Sequence, residues 1–142
     1  MEQQLSEIEF EVEGTDLIRI PDGIYQGQCI KYEPGLCFGK NKKLFLHFQI
    51  TTEGEEFGKV IVMCFNVNYK KLPKGSKYFK TWVFANKGIR PARGDRLSSK
   101  VFMNKVFKFT ARTVKPKFNT GQVKPEFLWY SVIDELIEIV AG

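Results

Sequence analysis

Histidine is nearly missing from this 142-residue chain, where His47 is the single one. Cysteine is scarce too: Cys29, Cys37 and Cys64 form an odd set with no CxxC spacing. Neither a disulfide framework nor paired zinc knuckles is therefore indicated. Cys29 and Cys64 fall in strand-like runs and read as ordinary buried or half-buried thiols, so no metal and no cofactor are expected. The chain also has no HxE, no GxSxG and no pair of acids in a pocket motif. General acid–base or nucleophilic catalysis lacks a visible candidate, and the chain reads as non-enzymatic. The stretch Gly35 to Asn41 is one residue short between its glycines for a phosphate loop and has Asn41 where Ser or Thr must reach magnesium.

No apolar run reaches the ~18 residues that a membrane span requires. The opening MEQQLSEIEFEVEG is acidic and has neither the basic nor the apolar region of a secretory signal. The expectation is a cytoplasmic protein with no membrane partner.

What the chain does have is positive charge, unevenly placed. Residues 1–20 carry six acids and one base, a net of −5. Residues 21–130 carry twenty-one bases and seven acids, a net of +14, and the last twelve residues add three acids. A basic body of this size favours a polyanionic partner, nucleic acid ahead of membrane or acidic protein. The length suits a single domain, read as an acidic arm or edge strand over 1–20 and one compact unit over 21–142. In the arm, Ile8, Phe10 and Val12 alternate with glutamates. An edge strand with a solvated acidic face is preferred over an arm whose glutamates occupy the basic groove.

Strand patterns follow in order. Residues 24–32 alternate, with Gly27 marking a bulge or a tight bend. After the polar loop EPGLCFGKNKK, the run KLFLHFQITT sets Leu44, Leu46, Phe48 and Ile50 against Phe45, His47, Gln49 and Thr51. A glycine-bounded turn leads into KVIVMCFNV, rich in β-branched residues. The period then changes: Ser76 is a good N-cap, Tyr78, Phe79, Trp82 and Val83 fall at helical spacing, and Gly88 is a stop. The segment KVFMNKVFKFTARTV predicts a long strand, and FLWYSVIDELIEIV a last one whose end, Asp134 to Val140, is equally compatible with a short helix. All-β with one helix between the third and fourth strands is the order of the OB-fold, a five-stranded partly open barrel.

Such a barrel receives single strands across its second and third strands, between the loops joining strands one to two and four to five. Here those loops hold Phe38, Lys40, Lys42 and Lys43, and Lys115, Lys117, Phe118 and Lys124. Phe45 and His47 lie on the second strand opposite its core stripe, and Tyr69 follows the third. Trp129, beside the second basic loop, is expected to be exposed. Lysines interleaved with aromatics suit single-stranded nucleic acid, because phosphates need a positive groove and unstacked bases need a flat partner. Stacking on an aromatic ring contributes ~1–3 kcal/mol per base. Of twenty aromatics thirteen are phenylalanine, and Phe48, Phe65, Phe79, Phe102 and Phe107 read as core. For His47 alone, a half-buried hydrogen-bonded ring outweighs a stacking platform.

The pattern GIYQGQCIKY, KLFLHFQIT, a glycine-bounded turn into KVIVMCFNV, and YSVIDELIEI near the end resembles small OB-fold proteins of bacteriophages and mobile elements that act in DNA replication or recombination. The resemblance implies single-stranded DNA binding and protection in the host cytoplasm, with replication or recombination proteins as partners. No disordered tail with an acidic-aromatic tip, as in cellular bacterial single-strand-binding proteins, is recognisable here. RNA binding by the same barrel, and a protein-interaction or assembly module with a basic surface, are the alternatives. Self-association is compatible with a single short groove, and no interface for it is marked.

Overall fold

The structure is a computed structural model and describes residues 18–37, 41–67, 75–92 and 97–142, with backbone alone at 35–37 and 41–42. The described residues form five strands, β1 (Gly23–Cys37), β2 (Asn41–Ile50), β3 (Val60–Asn66), β4 (Val106–Val114) and β5 (Tyr130–Ala141), and one α-helix, α1 (Lys77–Ala85), which falls between β3 and β4 along the chain. All pairings are antiparallel and the strand order is β3-β2-β1-β4-β5. The sheet is open. β3 and β5 come within 8 Å between Cα atoms, but among the described residues no ladder joins them, so the sheet of the expected partly open barrel is not closed by hydrogen bonding.

Alternation decides the inner face. Leu46, Phe48 and Ile50 of β2, Ile61, Met63 and Phe65 of β3, Phe107, Phe109 and Ala111 of β4, and Ile133 and Leu136 of β5 are buried together. The Phe48 and Phe107 rings meet edge to face at 5.9 Å, a geometry that pairs a ring's positive edge with its neighbour's negative face. Each such side chain contributes about 1.5–3 kcal/mol by leaving water. Of the phenylalanines assigned to the core, Phe48, Phe65, Phe102 and Phe107 are buried, while Phe79 is half-buried.

Ser76 caps α1 by accepting from the Phe79 N–H at 3.2 Å, as its position predicts. Gly88, at φ +80°, closes the helix with its N–H on the Val83 carbonyl at 2.8 Å. Tyr78 packs on Phe65 with centroids 5.3 Å apart and donates its hydroxyl to the Leu97 carbonyl.

Several boundaries move. The loop expected over residues 33–43 is mostly ladder, because β1 runs to Cys37 and β2 starts at Asn41. The irregularity in β1 falls between Cys29 and Lys31, not at Gly27. The expected strand over 100–114 begins as a 3-10 turn, Ser99–Phe102, and only Val106–Val114 is extended. Asn104 takes a left-handed φ of +63°, which breaks the run. Asp134 to Val140 is strand, since its register on β4 buries Leu136. Residues 18–20, assigned to the arm, are docked on the sheet. Ile20 is 3% exposed and its N–H donates to Ser131 Oγ at 2.9 Å, while the Ser131 hydroxyl donates to the Ile20 carbonyl at 3.1 Å. The expected edge strand over 8–12 lies outside the described residues.

Candidate nucleic-acid interface

The connection between β4 and β5 folds into a small hairpin of its own. The Lys124 N–H donates to the Pro116 carbonyl and the Phe118 N–H to the Gln122 carbonyl, each at 2.8 Å, with a bridge between Lys117 and Val123. The Gly121 N–H donates to the Phe118 carbonyl, closing a turn in which Gly121 holds φ +90°. That left-handed position explains the glycine. Pro116 contributes only its carbonyl to the pairing, so its missing N–H costs nothing there.

Phe118 is 47% exposed and the Lys124 ammonium lies 5.5 Å from its ring centroid. The ring therefore stands on the hairpin beside a cation. Pro125 leads into a 3-10 turn, Glu126–Leu128, which turns Phe127 outward at 83% exposure. Trp129 is half-buried, which corrects its expected exposure. Its indole N–H donates to the Lys124 carbonyl at 2.9 Å, and its ring takes the Lys115 ammonium at 4.7 Å and the Arg19 guanidinium at 5.1 Å from the centroid.

The charges of the neighbouring strands are matched in pairs. Arg112 meets Asp134 at 2.8 Å and Lys108 meets Glu138 at 3.3 Å. By contrast, among the described residues no carboxylate pairs with Lys115, Lys117 or Lys124. Positive potential and exposed ring surface thus coincide on the hairpin.

The outer face of β2 is a second cluster. Phe45 and Lys43 are half-buried, and His47 is 5% exposed. His47 Nε2–H donates to Glu33 Oε1 at 3.0 Å, and Lys31 stands 3.4 Å from Glu33 Oε2. Burial lowers the His47 pKa against the pull of the Glu33 charge. His47 is consequently not a stacking platform, since its ring is covered and its nitrogen engaged. Phe38, Lys40 and Tyr69 lie outside the described residues. Lys42 pairs through its backbone with Leu36, and its side chain lies outside the description.

The two basic loops leave the sheet at opposite ends of β1. Cys37 pairs with Asn41 at one end, while at the other Gly23 pairs with Ala111, just before β4 ends at Val114. Lys115, Lys117, Phe118, Lys124 and Trp129 come together in one loop. The described residues do not place Lys43, Phe45 and His47 against them.

Sequence reasoning missed Arg19, Glu33 and Phe127. Arg19 and Glu33 are fixed by long-range register, which no local pattern reveals. Phe127 had a signal in its neighbours, Pro125 and Glu126, which favour a turn over a buried strand start. Cys29 is buried and its thiol pKa is pushed up to about 12, leaving it unreactive. Among the described residues no group of three or more ligands is arranged to hold a metal, and no helix is long and apolar enough to cross a membrane. Comparison with known proteins finds no matching family model and no matching curated sequence.

Proposed function

We propose that this chain is a non-catalytic module that binds single-stranded DNA with little sequence preference, acting in phage or mobile-element replication or recombination. The observation that carries the reading is the β4–β5 hairpin, where Lys115, Lys117 and Lys124 have no acidic partner among the described residues and stand among the rings of Phe118 and Trp129. Phosphates of a single strand would meet the ammonium groups, and bases the exposed rings. Phe127, with 83% of its surface in solvent, adds another exposed ring to the same β4–β5 connection. The helix between the third and fourth strands, and a sheet whose edge strands approach one another, support an OB-like barrel with this hairpin as the loop joining its fourth and fifth strands.

Fluorescence titration with oligo-dT, its RNA counterpart and duplex DNA at two salt concentrations tests the reading. Preference for single strands, weakened by Phe118→Ala and by Phe45→Ala, is expected. Equal binding of duplex, with both variants indistinguishable from the parent, would defeat it.

A further inference from the structure

Beside the hairpin lies an open cleft of about 540 Å³ lined by Arg19, Ile20, Pro21, Asp22, Thr113, Lys115 and Trp129. Its two cations are held on one indole ring, at 5.1 and 4.7 Å from the centroid, so they stand no more than about 10 Å apart. Each is positioned from several sides. The Ser131 hydroxyl clamps Ile20 through both its N–H and its carbonyl, which fixes the backbone next to Arg19. The guanidinium meets Glu126 at 2.9 Å, and Trp129 is tied through its indole N–H to Lys124. The cleft's own acid, Asp22, is occupied by the Thr113 hydroxyl at 2.6 Å. Two pre-placed cations on a rigid ring, with the nearest carboxylate of the cleft already hydrogen-bonded, form a site for an anion with several oxygens.

We infer that this cleft is a phosphate site, with Arg19 and Lys115 as its ligand-binding groups and Trp129 as the residue that positions both. The inference rests on the single-strand reading for its ligand: a phosphodiester of the strand, passing from the Phe118 hairpin into the cleft. A terminal phosphate or a free nucleotide presents the same oxygens. Glu126, exposed and bound to Arg19 in the free protein, is the group a phosphate displaces. This pair is solvated on both sides, and exchanging one oxyanion for another there costs little.

Trp82→Phe leaves Trp129 as the sole indole reporter, since the chain has two tryptophans. This protein is titrated with oligo-dT lacking terminal phosphates and, separately, with thymidine 5′-monophosphate, each in the presence of Arg19→Gln or Lys115→Gln. Oligo-dT should change Trp129 emission saturably, and either substitution should reduce the slope of log K against log salt by about 0.7, the loss of one phosphate contact to a single strand. Glu126→Gln should tighten binding. A substitution-sensitive response to the monophosphate alone would keep the phosphate site, assign it to a free or terminal phosphate, and remove the single-strand reading. Oligo-dT binding whose salt slope is unchanged in both variants would overturn the phosphate site and leave the single-strand reading standing. No response to either ligand would overturn both.

Discussion

His47 Nε2 lies 3.0 Å from Glu33 Oε1 across the β1–β2 ladder, where Lys31 pairs with His47 and Glu33 with Phe45. Burial holds the imidazole pKa below its ordinary 6.5, outweighing the carboxylate that would raise it. For Glu33 burial pushes upward, yet the Lys31 ammonium and His47 together bring its pKa below the ordinary 4.5. Both folded-state values lie below the unfolded ones. Each group therefore contributes stability that is present above its ordinary value and lost as the pH falls through its folded value.

The first prediction uses the fact that His47 is the only histidine. Urea denaturation should show stability falling as the pH drops below 6.5, before most carboxylates titrate. In His47→Gln that first decline should vanish, while the decline below 4.5 remains. An unchanged profile in the variant would place the proton uptake elsewhere.

Gly27 sits where β1 crosses both neighbours, pairing with Ile50 and Phe107. A Cβ built there would lie 2.9 Å from Phe109 Cε2 and 3.0 Å from the Gln49 carbonyl oxygen. The ring can turn, but the ladder backbone holds the oxygen in place. Gly27→Ala should thus cost about 1–3 kcal/mol of unfolding free energy, the usual range for overpacking. This exceeds the ~0.4–1 kcal/mol that an alanine returns by restricting the unfolded chain. A lowered urea midpoint at constant m-value is the check.

These two sites also mark how far the sequence was legible. The alternation of Leu44 to Ile50, the Ser76 cap and the helical spacing of Tyr78 and Trp82 are local patterns, and the corresponding elements formed where expected. Gly27 reads in sequence as a bulge or a tight bend, whereas it marks a close approach, because its neighbours Phe109 and Gln49 come from strands distant in sequence. The Glu33–His47 pair was hidden for the same reason: residue 33 read as loop, and only the continued ladder brings it over β2. Of the candidate interface, the concentration of Lys115, Lys117, Lys124 and Phe118 was visible as composition. The Arg19–Trp129 stacking was not, since it depends on residues 18–20 docking beside Ser131.

Phe127 separates binding from stability. With 83% of its surface exposed, its ring removes little apolar area from water in the free protein. Phe127→Ala should leave the melting temperature within error of the parent. If the ring stacks on a base, the same change should weaken oligo-dT binding by about 1–3 kcal/mol. Isothermal titration beside a thermal melt distinguishes the two, and a variant that melts early with full affinity would make Phe127 structural.

Ser131 couples the fold to the cleft. Its hydroxyl accepts the buried Ile20 N–H at 2.9 Å and donates to the Ile20 carbonyl at 3.1 Å, while its own N–H donates to the Ile18 carbonyl at 2.7 Å. Ser131→Ala removes the two side-chain bonds and keeps the third. The orphaned Ile20 N–H should cost about 1–3 kcal/mol, since no water replaces the lost oxygen in a buried position. Amide exchange should then accelerate at Ile20 more than at Phe48 or Phe107, because opening is confined to the segment that carries Arg19. With Arg19 less firmly held over Trp129, oligo-dT affinity should fall in the alanine variant although no group that touches the ligand has changed. Ser131→Thr, which keeps the hydroxyl, should restore the slow exchange and the affinity together.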